Sequence, residues 1–142
     1  MPKYRHILAA IDIYGNYETV LERALAARNE NSRLSLIYVI EPVYYTEIYD
    51  GGMLIELHNK ARDKAREGLA SICECLQLED VNLLIDDGHS ASKIHDAADE
   101  HDVDLIVIGS HGKHGLQLLL GSTANGVLHG AKCDVLAVRI HH

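Results

Sequence analysis

"DLIVIGSHGKHGLQLLLGSTANGVLHGAKCDVLAVRI", residues Asp104 to Ile140, places a glycine-rich stretch and a short helical pattern between two aliphatic runs. The first run, Asp104 to Gly109, ends at a glycine. The second, Asp134 to Ile140, is its counterpart. Two such runs joined through a helix predict a parallel β-α-β unit. Between them, four glycines fall from Gly109 to Gly121, followed at once by Ser122 and Thr123. Spacing alone supports two readings equally: a phosphate cradle, or a flexible loop between strand and helix. For the cradle, Gly109 and Gly112 would let the main chain approach a phosphate without an intervening Cβ. Gly121, Ser122 and Thr123 would open a helix whose unpaired N–H groups and dipole favour an anion, with Lys113 to Leu120 wrapped over the phosphates. The segment is not a Walker A motif, since "GKHG" lacks the Gly-Lys-Ser/Thr ending. Nor is it a dinucleotide fingerprint, which would follow the first strand.

The same alternation runs back through the chain. "HILAAI" (His6 to Ile11), "RLSLIYVI" (Arg33 to Ile40) and "VNLLID" (Val81 to Asp86) are further strand-like runs, giving five in all. Helical patterns separate them. Asn16 is a candidate N-cap for a helix with Val20, Leu21, Ala24 and Leu25 on one face. Gly52 to Leu76 predicts a long amphipathic helix with Leu54, Leu57, Ala61, Ala65, Leu69, Ile72 and Leu76 in its apolar stripe. Ser90 is a candidate cap for the third helix, and Ser122 or Thr123 for the fourth. Gly130 is placed as the glycine just past the fourth helix. The order βαβαβαβαβ predicts an α/β fold: a five-stranded parallel sheet with helices on both faces and right-handed crossovers. In such sheets ligands bind beyond the C-terminal strand ends. The candidate stretches are therefore "DIYGN", "EPVYY", "DDGHS" and "GSHGKHG"; "EPVYYTEIYDGG" reads as a long tyrosine-rich loop.

At 142 residues the chain is expected to form a single domain, 1–142, large enough to bury roughly 70% of its unfolded surface. It has no Phe or Trp, so its core must rest on Leu, Ile, Val and Ala. A net charge of −8 disfavours nucleic acid and anionic lipid as partners, but leaves room for a nucleotide held locally by backbone amides. The three cysteines, Cys73, Cys75 and Cys133, form no C-x-x-C pair, which suits a reducing compartment. Asp12 interrupts the N-terminal apolar run, and no run approaches about 18 apolar residues. A cytoplasmic protein with no membrane span is expected.

With these residues in place, the sequence resembles the universal stress protein family over its whole length. "DLIVIGSHGKHGLQLLLGSTANGVLHGAKCDVLAVRI" is similar to the family's C-terminal part, "HILAAID" to its first strand and acidic tip, and "LSLIYVIEP" to its second strand. The nucleotide-binding members carry G-x2-G-x9-G-(S/T), whose fixed letters Gly109, Gly112, Gly121 and Ser122 match. The resemblance implies the strand order 3-2-1-4-5 of the Rossmann-like, adenine nucleotide alpha hydrolase-like class. It implies a homodimer paired through the last strand, Asp134 to Ile140; that strand also reads as an open sheet edge. It further implies ATP or AMP, with or without Mg2+, as a regulatory ligand in a stress response, hydrolysed slowly if at all. The carry-over places Asp12 near the nucleotide and the Val39 backbone against adenine. It places Gly109 and Gly112 along the phosphates, and Gly121, Ser122 and Thr123 at the helix that receives them. Binding would order the loop from Gly109 to Gly121 and so favour one conformation or partner surface. On residue type alone, Asp12 is a turn residue after a strand and Val39 a core valine. Three departures stand out. Lys113 to Leu120 is eight residues where the motif has nine, Tyr14 stands where many members have Ser, and Asp134 stands where Pro is common.

Two other readings compete. One is a dimeric interaction protein of the same fold without a nucleotide. The other is a phospho-accepting receiver domain, using Asp12 and the Asp86-Asp87 pair for Mg2+ and phosphoryl chemistry and Ser110 as its hydroxyl. That reading lacks the lysine after the fifth strand and a final helix. The ten histidines, including His95, His101, His111, His114, His141 and His142, show no zinc-ligand spacing and read as surface residues. No G-x-S-x-G elbow marks a hydrolase.

Overall fold

Ile7, Leu8 and Ala9 of the first strand expose none of their surface, because this strand is covered on both faces. The computed structural model describes residues 4–41, 51–110 and 121–140, with residues 51–53 described by backbone alone. The described residues form β1 (His6–Ala10), α1 (Glu18–Ala27), β2 (Arg33–Ile40), α2 (Gly51–Cys75), β3 (Val81–Asp87), α3 (Ser90–Glu100), β4 (Leu105–Gly109), α4 (Ser122–Gly130) and β5 (Asp134–Val138). The five strands make one sheet in the order β3-β2-β1-β4-β5, and every pairing is parallel. The predicted fold class and strand order are both observed.

The pleat sorts side chains by alternation. Ile7 and Ala9 of β1, Leu34 and Leu36 of β2, and Leu105 and Val107 of β4 join Val20, Leu21 and Ala24 of α1 and Leu69 and Ile72 of α2 in one cluster. Leu8, Ile37, Ile106 and Ile108 meet Ala91, Ile94, Ala97 and Ala98 of α3 and Ala124 and Val127 of α4 in the other. Helices α1 and α2 thus cover one face, and α3 and α4 the other. Crossovers of constant hand require this arrangement when the chain first steps outward from β1 to β3 and then back across to β4 and β5.

The long helix departs from its predicted stripe. Ala65, Leu69 and Ile72 are buried, but Leu57 is 41% and Leu76 49% exposed. Length explains it: 25 residues of helix span about 37 Å, while a seven-residue strand spans about 23 Å. Both ends of the stripe outrun the sheet.

The predicted caps also shift. The N-cap of α1 is Tyr17 rather than Asn16, with no side-chain cap bond. Ser90 is the first residue of α3, behind an N-cap at His89. Its hydroxyl donates instead to the Glu41 carboxylate at 2.9 Å, tying α3 to the end of β2. For α4 the N-cap is Gly121, and Gly130 is the last helical residue, followed by Ala131 as C-cap. Gly130 owes its place to close packing, because a Cβ there would fall on the His95 ring of α3. The tyrosine-rich stretch from Pro42 to Asp50 lies outside the described residues.

At the N-terminal end of the sheet sits a buried polar network. His6 is 1% and Ser35 0% exposed. The His6 Nδ1 lies 2.9 Å from the His101 carbonyl, which can only accept, so Nδ1 carries the proton. Nε2, 2.7 Å from the Ser35 oxygen, is then the acceptor and the hydroxyl the donor. This satisfies the ring only when it is neutral. Burial foremost holds the His6 pKa below its usual 6.5, with Arg33 and His101 also lowering it, while the His101 carbonyl and Asp104 oppose the shift. Nearby, burial pulls the Asp104 carboxyl up, but the N–H groups of Arg5 and His6 donate to it and leave it below its usual 3.8.

The depressed His6 pKa means the unfolded chain takes up this proton first. The contribution of His6 is therefore complete above about pH 6.5 and is lost as pH falls through the folded value. Thermal melts should show wild-type stability dropping below about pH 6.5, well before Asp104 titrates. His6→Gln should lower stability at pH 7.5 and flatten that acid slope; an unchanged slope would exclude His6 as its source.

Candidate functional site

Carrying the observed registers two residues past the last β1–β2 rung and three past the last β1–β4 rung puts Asp12 beside Val39 of β2 and Ser110 after β4. Val39 in turn pairs with Asp86 of β3. Four sequence candidates thus form one row across the C-terminal edge of the sheet. The row crosses the switch point, where the chain from β1 turns to α1 on one face and the chain from β4 leads to α4 on the other. The crevice between these departing chains is where open α/β sheets bind ligands.

Each element contributes differently. At β1 the ladder ends when the Ile11 N–H donates to the Ile37 carbonyl at 2.9 Å. Asp12 then turns the chain: its Oδ1 accepts the Tyr14 N–H at 3.0 Å, and its carbonyl accepts the Gly15 N–H at 3.1 Å. The turn-residue reading of Asp12 is therefore realised, and the same bonds fix an exposed carboxylate at the rim. Odd-numbered residues of β2 aim their main-chain groups at β1, as the Arg33 N–H and the Ile37 carbonyl show, while the Ile40 carbonyl accepts from Gly88 on the β3 side. By the same alternation the Val39 N–H and C=O point toward β1, past its last rung and over the crevice. The half-buried Val39 side chain packs on the α3–α4 cluster, so side chain and main chain serve different purposes.

The Gly109–Gly121 segment is pinned at its base. The Ser110 N–H donates to the Val138 carbonyl at 2.8 Å, and the Gly121 N–H donates to the Ser110 carbonyl at 2.6 Å. Gly121 thus spends its own amide on closing the loop. The first α4 rung is Asn125 N–H to the Gly121 carbonyl at 2.9 Å, so the amides of Ser122, Thr123 and Ala124 have no intrahelical acceptor. The glycine N-cap supplies no side chain for them. This helix end is suited to an anion, and it fits a phosphate through Ser122 and Thr123 rather than through Gly121. Gly112 and the stretch Lys113 to Leu120 lie outside the described residues.

Gly109 has a second reason to be glycine. A Cβ there would collide with the Ile140 Cδ1 and lie 3.6 Å from the Val20 Cγ2. Ile140, beyond β5, fills the space a side chain would take. Close packing, which the spacing did not reveal, accounts for this position independently of any ligand.

Beside the row, Tyr14 is 62% exposed and meets Tyr38 edge-on, with ring centroids 6.3 Å apart at 75°. Sequence reasoning noted Tyr14 only as a departure and did not single out Tyr38. Burial first, then the Asp12 charge, pushes the Tyr38 phenol above its usual pKa, placing Asp12 and both rings in one electrostatic neighbourhood.

The receiver reading fails on topology. Receiver sheets run 2-1-3-4-5, whereas here β2 lies between β1 and β3. Asp86 is thereby two strands, about 10 Å, from Asp12. The acidic pair is also engaged elsewhere: Asp86 faces Lys93 at 3.9 Å, and Asp87 contacts His58 and lies 3.6 Å from Arg62. Among the described residues no three His, Cys, Asp or Glu side chains could hold a metal ion. Of the histidines, His95 donates to the Val127 carbonyl at 2.7 Å across the α3–α4 contact, a packing role; His111, His114, His141 and His142 lie outside the described residues.

A five-stranded parallel sheet in the order 3-2-1-4-5, with helices on both faces, defines an open α/β class. Residues 3–139 match the sequence profile of the Universal stress protein family. Universal stress protein A homolog 1 of Coxiella burnetii is 38% identical over 138 residues, covering 95% of this chain and 96% of that protein. Universal stress protein A homolog 2 of the same organism is 38% identical over 143 residues, covering 99% and 98%. Among solved structures, hypothetical protein MJ0577 superposes with a TM-score of 0.85 at 28% identity, covering 99% of both chains. The chain belongs to the universal stress protein family.

Gly109→Ala should cost about 1–2 kcal/mol through overpacking against Ile140. In an Ile140→Val background, which lacks the Cδ1 atom, most of that cost should vanish. A urea-denaturation double-mutant cycle checks this; an equal cost in both backgrounds would show that Ile140 is not what Gly109 accommodates.

Proposed function

We propose that this universal stress protein binds an adenine nucleotide, ATP or AMP, as a regulatory ligand at the crevice between β1 and β4. The observation that carries the reading is the start of α4. Ser122 and Thr123 open a helix whose first amides lack an intrahelical acceptor, behind a glycine N-cap that adds no side chain. The phosphates would lie there, along Gly109 and Gly112. Adenine would meet the Val39 main chain, with Asp12 beside the sugar. Mg2+ would enter on the phosphates, with Asp12 as the carboxylate at the end of β1. Bound nucleotide favours one conformation or partner surface in a stress response, and turnover is not its purpose. No helix among the described residues is long and apolar enough to cross a membrane, and the working compartment is the cytoplasm. Residues 1–142 act as one domain.

ATP and AMP titrated by calorimetry should each give saturable heat below millimolar concentration. Gly121→Asp should weaken ATP by more than tenfold while leaving the melting temperature unchanged or higher. Aspartate is a good N-cap, but its charge occupies the phosphate position. No heat with wild-type protein at millimolar ATP would remove this reading in favour of an interaction protein without nucleotide.

The same domain acts as a homodimer paired through Asp134 to Ile140. The supporting observation is β5 itself, which ends the sheet with Leu136 39% exposed; an open aliphatic edge invites a partner strand. Light scattering at micromolar concentration should give twice the chain mass for wild type and a monomer for Leu136→Asp. A wild-type monomer would refute the dimer.

A further inference from the structure

We propose that the outer edge of β3 docks an extended segment of a partner protein as an added strand, and that this segment reads basic–acidic–apolar, in either chain direction, at three successive positions. β3 is the edge opposite β5, so the homodimer proposed above leaves it uncovered. The inference stands independently of any nucleotide.

The main chain supplies the first argument. Just past β3, the Gly88 N–H donates to the Ile40 carbonyl of β2 at 2.9 Å. By alternation, even-numbered residues of β3 aim their main-chain groups at β2, while Leu83 and Ile85 aim theirs outward. The Ile85 carbonyl shows that direction, since it accepts the Arg62 guanidinium at 3.3 Å. The Asp87 N–H is taken by the Asp86 carboxylate at 2.8 Å. The edge is thus closed at its C-terminal end. Before that point, the Leu83 N–H and C=O and the Ile85 N–H have no partner among the described residues. Natural edges are defended by charge, proline or a bulge, yet "VNLLI" (Val81 to Ile85) carries neither charge nor proline. An antiparallel strand can exchange both main-chain bonds with Leu83. In strand addition the main chain gives affinity, and pockets for alternate side chains give specificity.

Side chains beside the edge define the partner. A groove of about 290 Å³ lies there, with Ile37, Leu84 and Ala97 as its apolar lining and Arg66 of α2 and Glu100 of α3 among its charged residues. The two helices cover opposite faces of the sheet, so the two charges are contributed from opposite faces. Both residues are exposed, and neither has an ion-pair partner among the described residues. A docked strand sends successive side chains to alternate faces. On the α3 face, one apolar residue would fill the space over Ile37 and Leu84, and a cation two positions away would meet Glu100. The residue between them, on the α2 face, would bring a carboxylate to Arg66. A second copy of this chain fits poorly. Antiparallel pairing of two β3 edges about a two-fold axis keeps like faces together, setting α2 arginines against arginines and α3 carboxylates against carboxylates. Charge complementarity therefore favours a different segment over self-association.

The probes are the peptide acetyl-TVKEVTV-amide and its variant acetyl-TVKKVTV-amide. Each is titrated into isotope-labelled wild type and Arg66→Glu at about 0.15 M salt, which screens the net charge, with melting curves confirming the fold. Amide shifts in NMR spectra report binding. Wild type should bind the first peptide saturably at submillimolar concentration, with shifts centred on Leu83 and Ile85. It should bind the second about tenfold more weakly, and Arg66→Glu should invert that preference. N-methylation of the first peptide at one set of alternate residues should abolish binding. At the other set it should be tolerated, because only one set points its N–H groups at β3. No saturable shift in wild type at millimolar peptide would overturn the proposal. So would a preference that survives Arg66→Glu, or shifts that map away from Leu83 and Ile85. Self-association through those amides in place of peptide binding would give the edge to a second copy and overturn it equally.

Discussion

The constraint on which everything else depends is the complete burial of β1 between two helical layers. A parallel strand at the centre of a sheet must present apolar side chains to both faces, because helices cover both. Ile7 and Ala9 serve the α1–α2 side and Leu8 the α3–α4 side. With β1 fixed, its register with β2 and β4 is fixed too, since a one-residue slip would exchange every side chain between the two cores. The row Val39, Asp12, Ser110 follows directly from those registers. The candidate site is thus a by-product of core packing at the centre of the sheet.

Polar groups are accommodated at the two ends of this apolar centre in opposite ways. At the N-terminal end, His6 and Ser35 are sealed, paired with each other and with the His101 carbonyl, and their chemistry is internal. At the C-terminal end, the polar groups are main-chain amides and carbonyls left by departing strands and an opening helix: those of Val39, Ser122 and Thr123. Several neighbouring side chains are small or engaged elsewhere, while Asp12 keeps an exposed carboxylate at the rim. The N-cap is glycine, the Ser90 hydroxyl is committed to Glu41, and Asp86 and Asp87 face Lys93, His58 and Arg62. At the start of α4 the local dipole favours an anion even though the chain carries a net charge of −8, while Asp12 adds a negative charge across the crevice.

Much of this was legible in the sequence. The aliphatic runs placed every strand within one or two residues, and β2 at both ends, because a buried parallel strand leaves an uninterrupted apolar signature. The C-terminal ends of those strands pointed to the rim where Asp86, Val39, Asp12 and Ser110 align. Less legible were the caps and the ends of α2. Capping preference is a local tendency, and Ser90 shows how a tertiary hydrogen bond overrides it. Periodicity describes an apolar stripe but not the length of sheet available to cover it, so Leu57 and Leu76 emerged exposed.

The sequence by itself determined the architecture: alternating runs of period near 2 and near 3.6 admit few layer arrangements, and the fixed glycines and hydroxyl of the last β-α-β unit resembled one family despite a loop one residue short. Only the tertiary structure decided what individual residues do. It showed that Gly109 makes room for Ile140, that the Gly121 amide closes a loop, and that Tyr14 stands against Tyr38. It also separated Asp86 from Asp12 by an intervening strand. The physical reason is range. Propensity and pattern act over a few residues along the chain, whereas Gly109 and Ile140, or Tyr14 and Tyr38, meet only once the register of a five-stranded sheet has brought distant segments together.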